Sequence, residues 1–181
     1  ELQNMNLDLA GDYVFGNDID ASSTLNFDPV GDAVTKFTGT FDGQGHTITG
    51  LTINRPGEDY VGLFGYIDFS ATIQNVHLAD TNVTGNDNVG SILGYNLGNI
   101  SYCTNTGSVT GNDRVGGIVG YCQGNTLNCQ NRGDITGNFY TGGIVGGGSS
   151  VIKYCYNLGD ISGSDAFTGG IAGSSMDIMN C

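Results

Sequence analysis

At 181 residues the chain has the length of one domain, and 18 acidic residues against five basic ones give it a formal charge of −13. That balance disfavours nucleic acid and anionic membrane surfaces as partners, and no segment approaches the ~18 apolar residues of a membrane-spanning helix, so no membrane insertion is expected. Only 13% of residues are charged, so the acidity reflects scarce Lys and Arg rather than a carboxylate tract.

The first 56 residues carry strand and turn signals without a fixed repeat. Leu7 and Leu9 alternate with polar residues ahead of Gly11-Asp12, and Tyr13-Val14-Phe15 and Phe37-Thr38-Gly39-Thr40-Phe41 supply strand candidates. Asp42-Gly43 is a turn dipeptide between the second of these and Thr47-Ile48-Thr49. This segment is expected to form the first coils or a cap.

From residue 57 onward the chain repeats. Units begin at Gly85, Gly111 and Gly137 and close at Thr110, Thr136 and Ser162, a period of 26 residues; a looser unit spans 57–84 and a partial one 163–181. Cys103, Cys129, Cys155 and Cys181 fall one period apart, as do Asn105, Asn131 and Asn157. The expected organisation is one continuous domain, with residues 1–56 leading into repeats at 57–84, 85–110, 111–136, 137–162 and 163–181.

Helical and strand solenoids share this range of periods, so composition chooses between them. Short β-branched runs broken every few residues by Gly, Asn or Asp, with 32 glycines in all and no sustained 3.6-residue period, select short strands and tight turns. The chain therefore reads as an all-β parallel β-helix, a β-solenoid of about 26 residues and about three strands per coil. Residues one period apart then stack: Val109, Ile135 and Ile161 form one inward column and Ile92, Ile118 and Ile144 another, while Ser108, Thr110, Asp134, Thr136, Asp160 and Ser162 face water.

The polar columns allow more than one reading. The asparagines are an amide ladder capping turn backbone, asparagine's common local habit, or a ligand-binding row. The four stacked cysteines lie within disulfide reach, but parallel side chains favour an inward ladder of free thiols; without CxxC pairs or histidine partners they do not suggest a metal site. Cys122 stands outside the column and is expected to be the more reactive thiol.

The run Tyr13-Val14-Phe15-Gly16-Asn17-Asp18-Ile19-Asp20, followed by Phe37 to Ile48, resembles the lead-in to GLUG-motif repeats. The GLUG core is similar to Gly62-Leu63-Phe64-Gly65 and, in degenerate form, to Gly117-Ile118-Val119-Gly120 and Gly143-Ile144-Val145-Gly146; Ser91-Ile92-Leu93-Gly94 departs at its first residue, and Gly170-Ile171-Ala172-Gly173 is a weaker copy. The resemblance implies a right-handed β-helix in a large secreted or surface-anchored microbial protein, a class that includes adhesins and non-catalytic regions of immunoglobulin A peptidases. Because Cys181 falls mid-unit, a module of a longer polypeptide or of a filament is expected.

Candidate chemistry is sparse. HExxH is absent, and His46 and His77 read as structural. A sugar-cleaving site would rest on Arg132 beside Asp134 and Asp160, a cluster that equally suits a surface ion pair. Asp87, Asp113 and Asp165 recur in equivalent turns and open a minor possibility of calcium, although Asx turns account for them. Regular polar pairs such as Ser108 and Thr110 raise ice binding, which the charges of Asp134 and Asp160 oppose.

The expectation is a non-enzymatic, extracellular structural or adhesive module without a cofactor, whose partners are further copies stacked end to end, other surface proteins or glycans. Tyr60, Tyr121, Phe139 and Tyr140 are the candidate glycan platforms, being aromatic residues at turns.

Overall fold

The computed structural model describes residues 2–164, 167–174 and 176–181. Parallel strands about 26 residues apart stack into about six coils of a β-solenoid. The unit starting at Gly85 shows the plan, with strands Asp87–Gly90, Leu93–Asn96, Asn99–Ser101, Thr104–Asn105 and Ser108–Thr110. Each pairs in parallel with its counterpart in the next coil: Asp87 with Asp113, Leu93 with Val119, Asn99 with Asn125, Thr104 with Gln130 and Val109 with Ile135. The five resulting sheets hold four, four, seven, six and five strands.

A coil thus contains five short strands where about three are expected from the sequence. The extra breaks come from single left-handed residues. Asn75, Tyr102, Asn128, Tyr154 and Asn180, with φ between 51° and 56°, form a column that separates strands such as Asn99–Ser101 and Thr104–Asn105. A second column, Tyr60, Asn88, Arg114 and Tyr140, has φ between 45° and 61°. There Asp87 and Val89 pair with Asp113 and Val115 while Asn88 and Arg114 between them do not, so both strands kink at the same place without losing register.

Gly120 and Gly146 have their explanation at this kink. A Cβ at Gly120 would lie 2.4 Å from the carbonyl carbon of Asn88, and one at Gly146 would lie 2.4 Å from that of Arg114. Any larger residue would push one coil off the kink of the coil before it.

Alternation along the strands builds the core. Val83, Val109 and Ile135 stack inward with Ile161 half-buried, Ile92, Ile118 and Ile144 are wholly buried, and Ser108, Thr110, Asp134, Thr136, Asp160 and Ser162 are exposed. Near the start the core is filled by phenylalanine: Phe41 packs edge-on to Phe15 and Phe64 at 4.9 and 5.1 Å between centroids, and Phe37 lies 5.0 Å from Phe64.

Within the first 56 residues, Thr40–Asp42 pairs in parallel with Asp12–Val14 and Thr72–Gln74, whereas Thr47–Thr49 pairs with Ile19–Asp20 and His77–Ala79. Asp42-Gly43 is therefore a corner between two sheets. Leu7 and Leu9 do not form a strand: Leu2–Leu7 is a 3-10 helix whose three-residue spacing puts Leu2 and Met5 into the core and leaves Leu7 exposed.

Candidate functional site

The strands Phe64–Ile67, Leu93–Asn96 and Val119–Cys122 place Tyr66, Tyr95 and Tyr121 in register on the outside of one sheet. Their rings form a stripe along the solenoid. Tyr66 and Tyr95 stack at 4.3 Å and 9°, and Tyr95 meets Tyr121 at 4.7 Å and 33°. From the adjacent left-handed column Tyr60 leans on Tyr66 and Tyr95 at 5.6 and 5.8 Å.

In the next coil Gly147 replaces the tyrosine, and the Arg114 side chain lies over the vacated position: a Cβ at Gly147 would be 3.2 Å from Arg114 Cγ. The guanidinium sits 5.4 Å from the Tyr121 centroid and 6.0 Å from that of Tyr140, which in turn stacks on Phe167 at 4.7 Å and 14°. At the opposite end Lys36 Nζ lies 5.1 Å from the Tyr66 centroid. Burial against neighbouring rings raises the hydroxyls of Tyr66 and Tyr95 above the ordinary tyrosine range.

Tyr60, Tyr121 and Tyr140 therefore belong to one stripe, which Tyr66, Tyr95 and Phe167 complete. Phe139 is exposed beside it and makes no ring contact among the described residues. Tyr121, Phe139 and Tyr140, expected at turns, lie in the strands Val119–Cys122 and Phe139–Gly142, and Tyr66 and Tyr95, which sequence reasoning missed, occupy the strand positions equivalent to Tyr121. Their signal was available: a tyrosine two residues after the conserved position of Phe64, Leu93 and Val119 in three successive coils.

The stacked asparagines form an internal ladder. Asn105 donates through Nδ2 to Asn131 Oδ1 and Asn131 to Asn157 Oδ1, each at 2.8 Å, while each amide also donates to the carbonyl of Gly107, Gly133 or Gly159 two residues on. The side-chain oxygens accept from those same glycine N–H groups. Gly117 and Gly143 make room for it, since a Cβ there would lie 2.4 and 2.5 Å from Cγ of Asn131 and Asn157.

The cysteines run parallel to this ladder. Each thiol donates across its left-handed corner to a carbonyl two residues back, Cys129 to Leu127 and Cys155 to Lys153 at 3.3 Å, while Cys155 and Cys181 sulfurs accept from the N–H of Cys129 and Cys155 at 3.3 and 3.2 Å. Cys103, Cys129 and Cys155 are buried and Cys181 is exposed, and all five cysteines are free. Burial raises the Cys129 thiol, and contact with Cys129 together with burial raises Cys155.

Cys122 departs from its expected reactivity. It is wholly buried against Asn96 and Thr126, and burial raises its pKa, so it is neither accessible nor readily ionised.

The remaining candidates serve the fold. The Asp59 carboxylate accepts from Asn86 Nδ2 and Asp87 N, and the Asp87 carboxylate from Asn112 Nδ2 and Asp113 N, so these turns are tied to the next coil. Asp113 pairs with Arg114 at 3.0 Å, yet burial raises its carboxyl above the ordinary range. Asp165 lies outside the described residues. Among the described residues Arg132 makes no ion pair with Asp134 or Asp160; it faces the Gln130 amide instead. His46 Nδ1 lies 3.2 Å from Asp18, and His77 Nδ1 lies 2.7 Å from Thr104 Oγ1.

The class this geometry defines is a parallel β-solenoid, and the model of the GLUG motif matches residues 85–110, one of its units. The chain is 40% identical over 107 residues to halomucin of Haloquadratum walsbyi, an alignment covering 53% of the chain and 1% of halomucin. It is 35% identical over 89 residues to a candidate Gly-rich membrane protein of Evansella cellulosilytica, covering 45% of the chain and 10% of that protein. The chain thus spans a small fraction of the curated relatives it matches. In fold it is similar to a crystal structure of a candidate immunoglobulin A1 protease from Bacteroides ovatus, with TM-score 0.72 and 22% identity over 99% of this chain and 71% of that one.

Proposed function

We propose that this chain is a stiff, non-catalytic rod segment of an extracellular surface protein, with a structural and adhesive role. The observation that carries the reading is the continuity of the parallel ladders: one sheet runs through seven strands from Asp12–Val14 to Asp177–Met179. Buried amide and thiol columns tie coil to coil within it. The similarity to small portions of halomucin and of a Gly-rich membrane protein supports a cell-surface setting.

A non-catalytic role is supported by the polar groups themselves. Of those weighed for chemistry, Asp87 and His77 bond the next coil and Arg132 faces the Gln130 amide of its own coil, and no group of three or more His, Cys, Asp or Glu among the described residues is arranged to hold a metal. The partners of such a rod are further copies end to end, other surface proteins, or glycans.

Pulling the chain by its termini in a single-molecule experiment tests the reading. A rod yields coil by coil, each step releasing about 90 Å of chain, the extended reach of one repeat. Smooth extension at low force without steps would overturn it.

A further inference from the structure

The left-handed corner column Asn75, Tyr102, Asn128, Tyr154, Asn180 alternates two residue types with opposite suitability for the position. Asparagine tolerates positive φ because its short amide bonds locally; a tyrosine there costs on the order of 1 kcal/mol or more. Elsewhere in this molecule that strain accompanies contacts, since Tyr60, Arg114 and Tyr140 join the aromatic stripe.

Tyr102 and Tyr154 have no such contacts. They are 57% and 54% exposed, and among the described residues they stack on no other ring and their hydroxyls make no hydrogen bond. Backbone bonds from the Tyr102 N–H to the Leu127 carbonyl and from the Tyr154 N–H to the Met179 carbonyl hold the two strained corners, and no side-chain contact among the described residues rewards their turning open aromatic faces to solvent.

Their surroundings indicate what would meet those faces. The two rings lie on the same corner two coils apart, about 9.6 Å along the axis. Between them lies Asn128, and beside them the exposed Asn99 and Asn125 amides pair at 2.8 Å. Although the chain carries a charge of −13, the three coils that hold the rings place no carboxylate on this sheet and corner, residues 99–105, 125–131 and 151–157; Asp42 lies two coils before Tyr102 and Asp177 one coil after Tyr154, and Lys153 stands beside Tyr154. An aromatic, amide-rich, carboxylate-free strip suits a hydroxyl-rich uncharged partner and gives a cationic one nothing to pair with.

We infer that Tyr102, Asn128 and Tyr154 form a docking strip for an extended, uncharged β-1,4-linked polysaccharide laid parallel to the solenoid axis. In such a chain every second sugar turns the same face to one side, so rings one disaccharide apart stack on the two tyrosines, and the amides bond hydroxyls between them. The strip rests on the reading of the chain as a surface rod and names its adhesive partner class.

The test is depletion of the soluble chain by insoluble β-1,4-glucan and by chitin, with Tyr102→Asn, Tyr154→Asn and the double variant alongside. At least one polymer retains the wild type, each single variant lowers retention at least tenfold, and the double variant abolishes it. Because asparagine is what the other coils carry at this corner, the thermal midpoints stay level or rise. Variants that bind like wild type, variants that lose several degrees, or equal binding to helical α-linked amylose would each overturn the strip. A wild type that yields coil by coil under force but leaves both polymers unbound overturns the strip alone and leaves the rod standing.

Discussion

Asn131 carries two coil-to-coil bonds and both bonds to Gly133 within its own turn, all in a buried environment. An unmade buried hydrogen bond costs more than a formed one contributes, so the ladder is sensitive at its middle. Asn131→Ala is expected to lower stability by about 2–3 kcal/mol, since it strips a partner from Asn105 and Asn157 and leaves a cavity. A thermal melt reads this as a drop of roughly 5–10 °C; a midpoint within 1 °C of wild type would show the ladder to be incidental. The 26-residue spacing revealed this column, and the favoured amide-ladder reading describes the geometry seen. Its inward direction required the strand register, because asparagine at a turn ordinarily faces water.

At the level of turns and corners, carboxylates near the start of the chain fasten loops. Asp18 accepts from the Thr47 N–H, Asp20 from Ser22, Asp32 from the Thr35 N–H, and Asp42 chiefly from Asn75 Nδ2; these bonds hold all four below the ordinary carboxylate range. A folded pKa below the unfolded one, about 3.9, means that the stabilisation is present above that value and is lost as pH falls through the folded values. Melting midpoints are therefore expected to decline on acidification below about pH 4. Asp113 has the opposite sign: its raised carboxyl destabilises the fold when ionised and is relieved as pH falls. Asp113→Asn should raise the midpoint at pH 7 but leave it unchanged at pH 3, and equal effects at both would refute the assignment. The acidic residues were legible as turn residues, but which turn bonds which coil depends on loops 25 or more residues apart meeting in space.

Across the whole molecule, each coil contacts its neighbours through the same register, so removing one complete unit rejoins equivalent positions. Deleting 111–136 places Gly137 after Thr110 with every inward residue still inward, and the shortened chain is expected to fold with a modestly lower midpoint. Deleting 111–123 shifts the following strands by half a unit and should abolish cooperative unfolding. Circular dichroism melts of both deletions decide this; two equally folded products would show that the coils are not in fixed register.

The period determined the solenoid, and with the glycine-rich, β-branched composition also its parallel stacking and its inward Val and Ile columns, because residues one repeat apart must occupy equivalent places whatever the coil's outline. The outline itself was a tertiary matter. Whether a coil has three strands or five depends on single residues such as Tyr102 and Arg114 adopting positive φ, which their side chains do not favour and only the stacked neighbours impose. Likewise Cys122, alone in its spacing, read as the more reactive thiol in one dimension, but the closing of the coil put it against Asn96 and Thr126 in the core. The aromatic stripe was likewise decided in three dimensions, as ring-on-ring contact depends on side chains from different sheets converging at one corner of the rod.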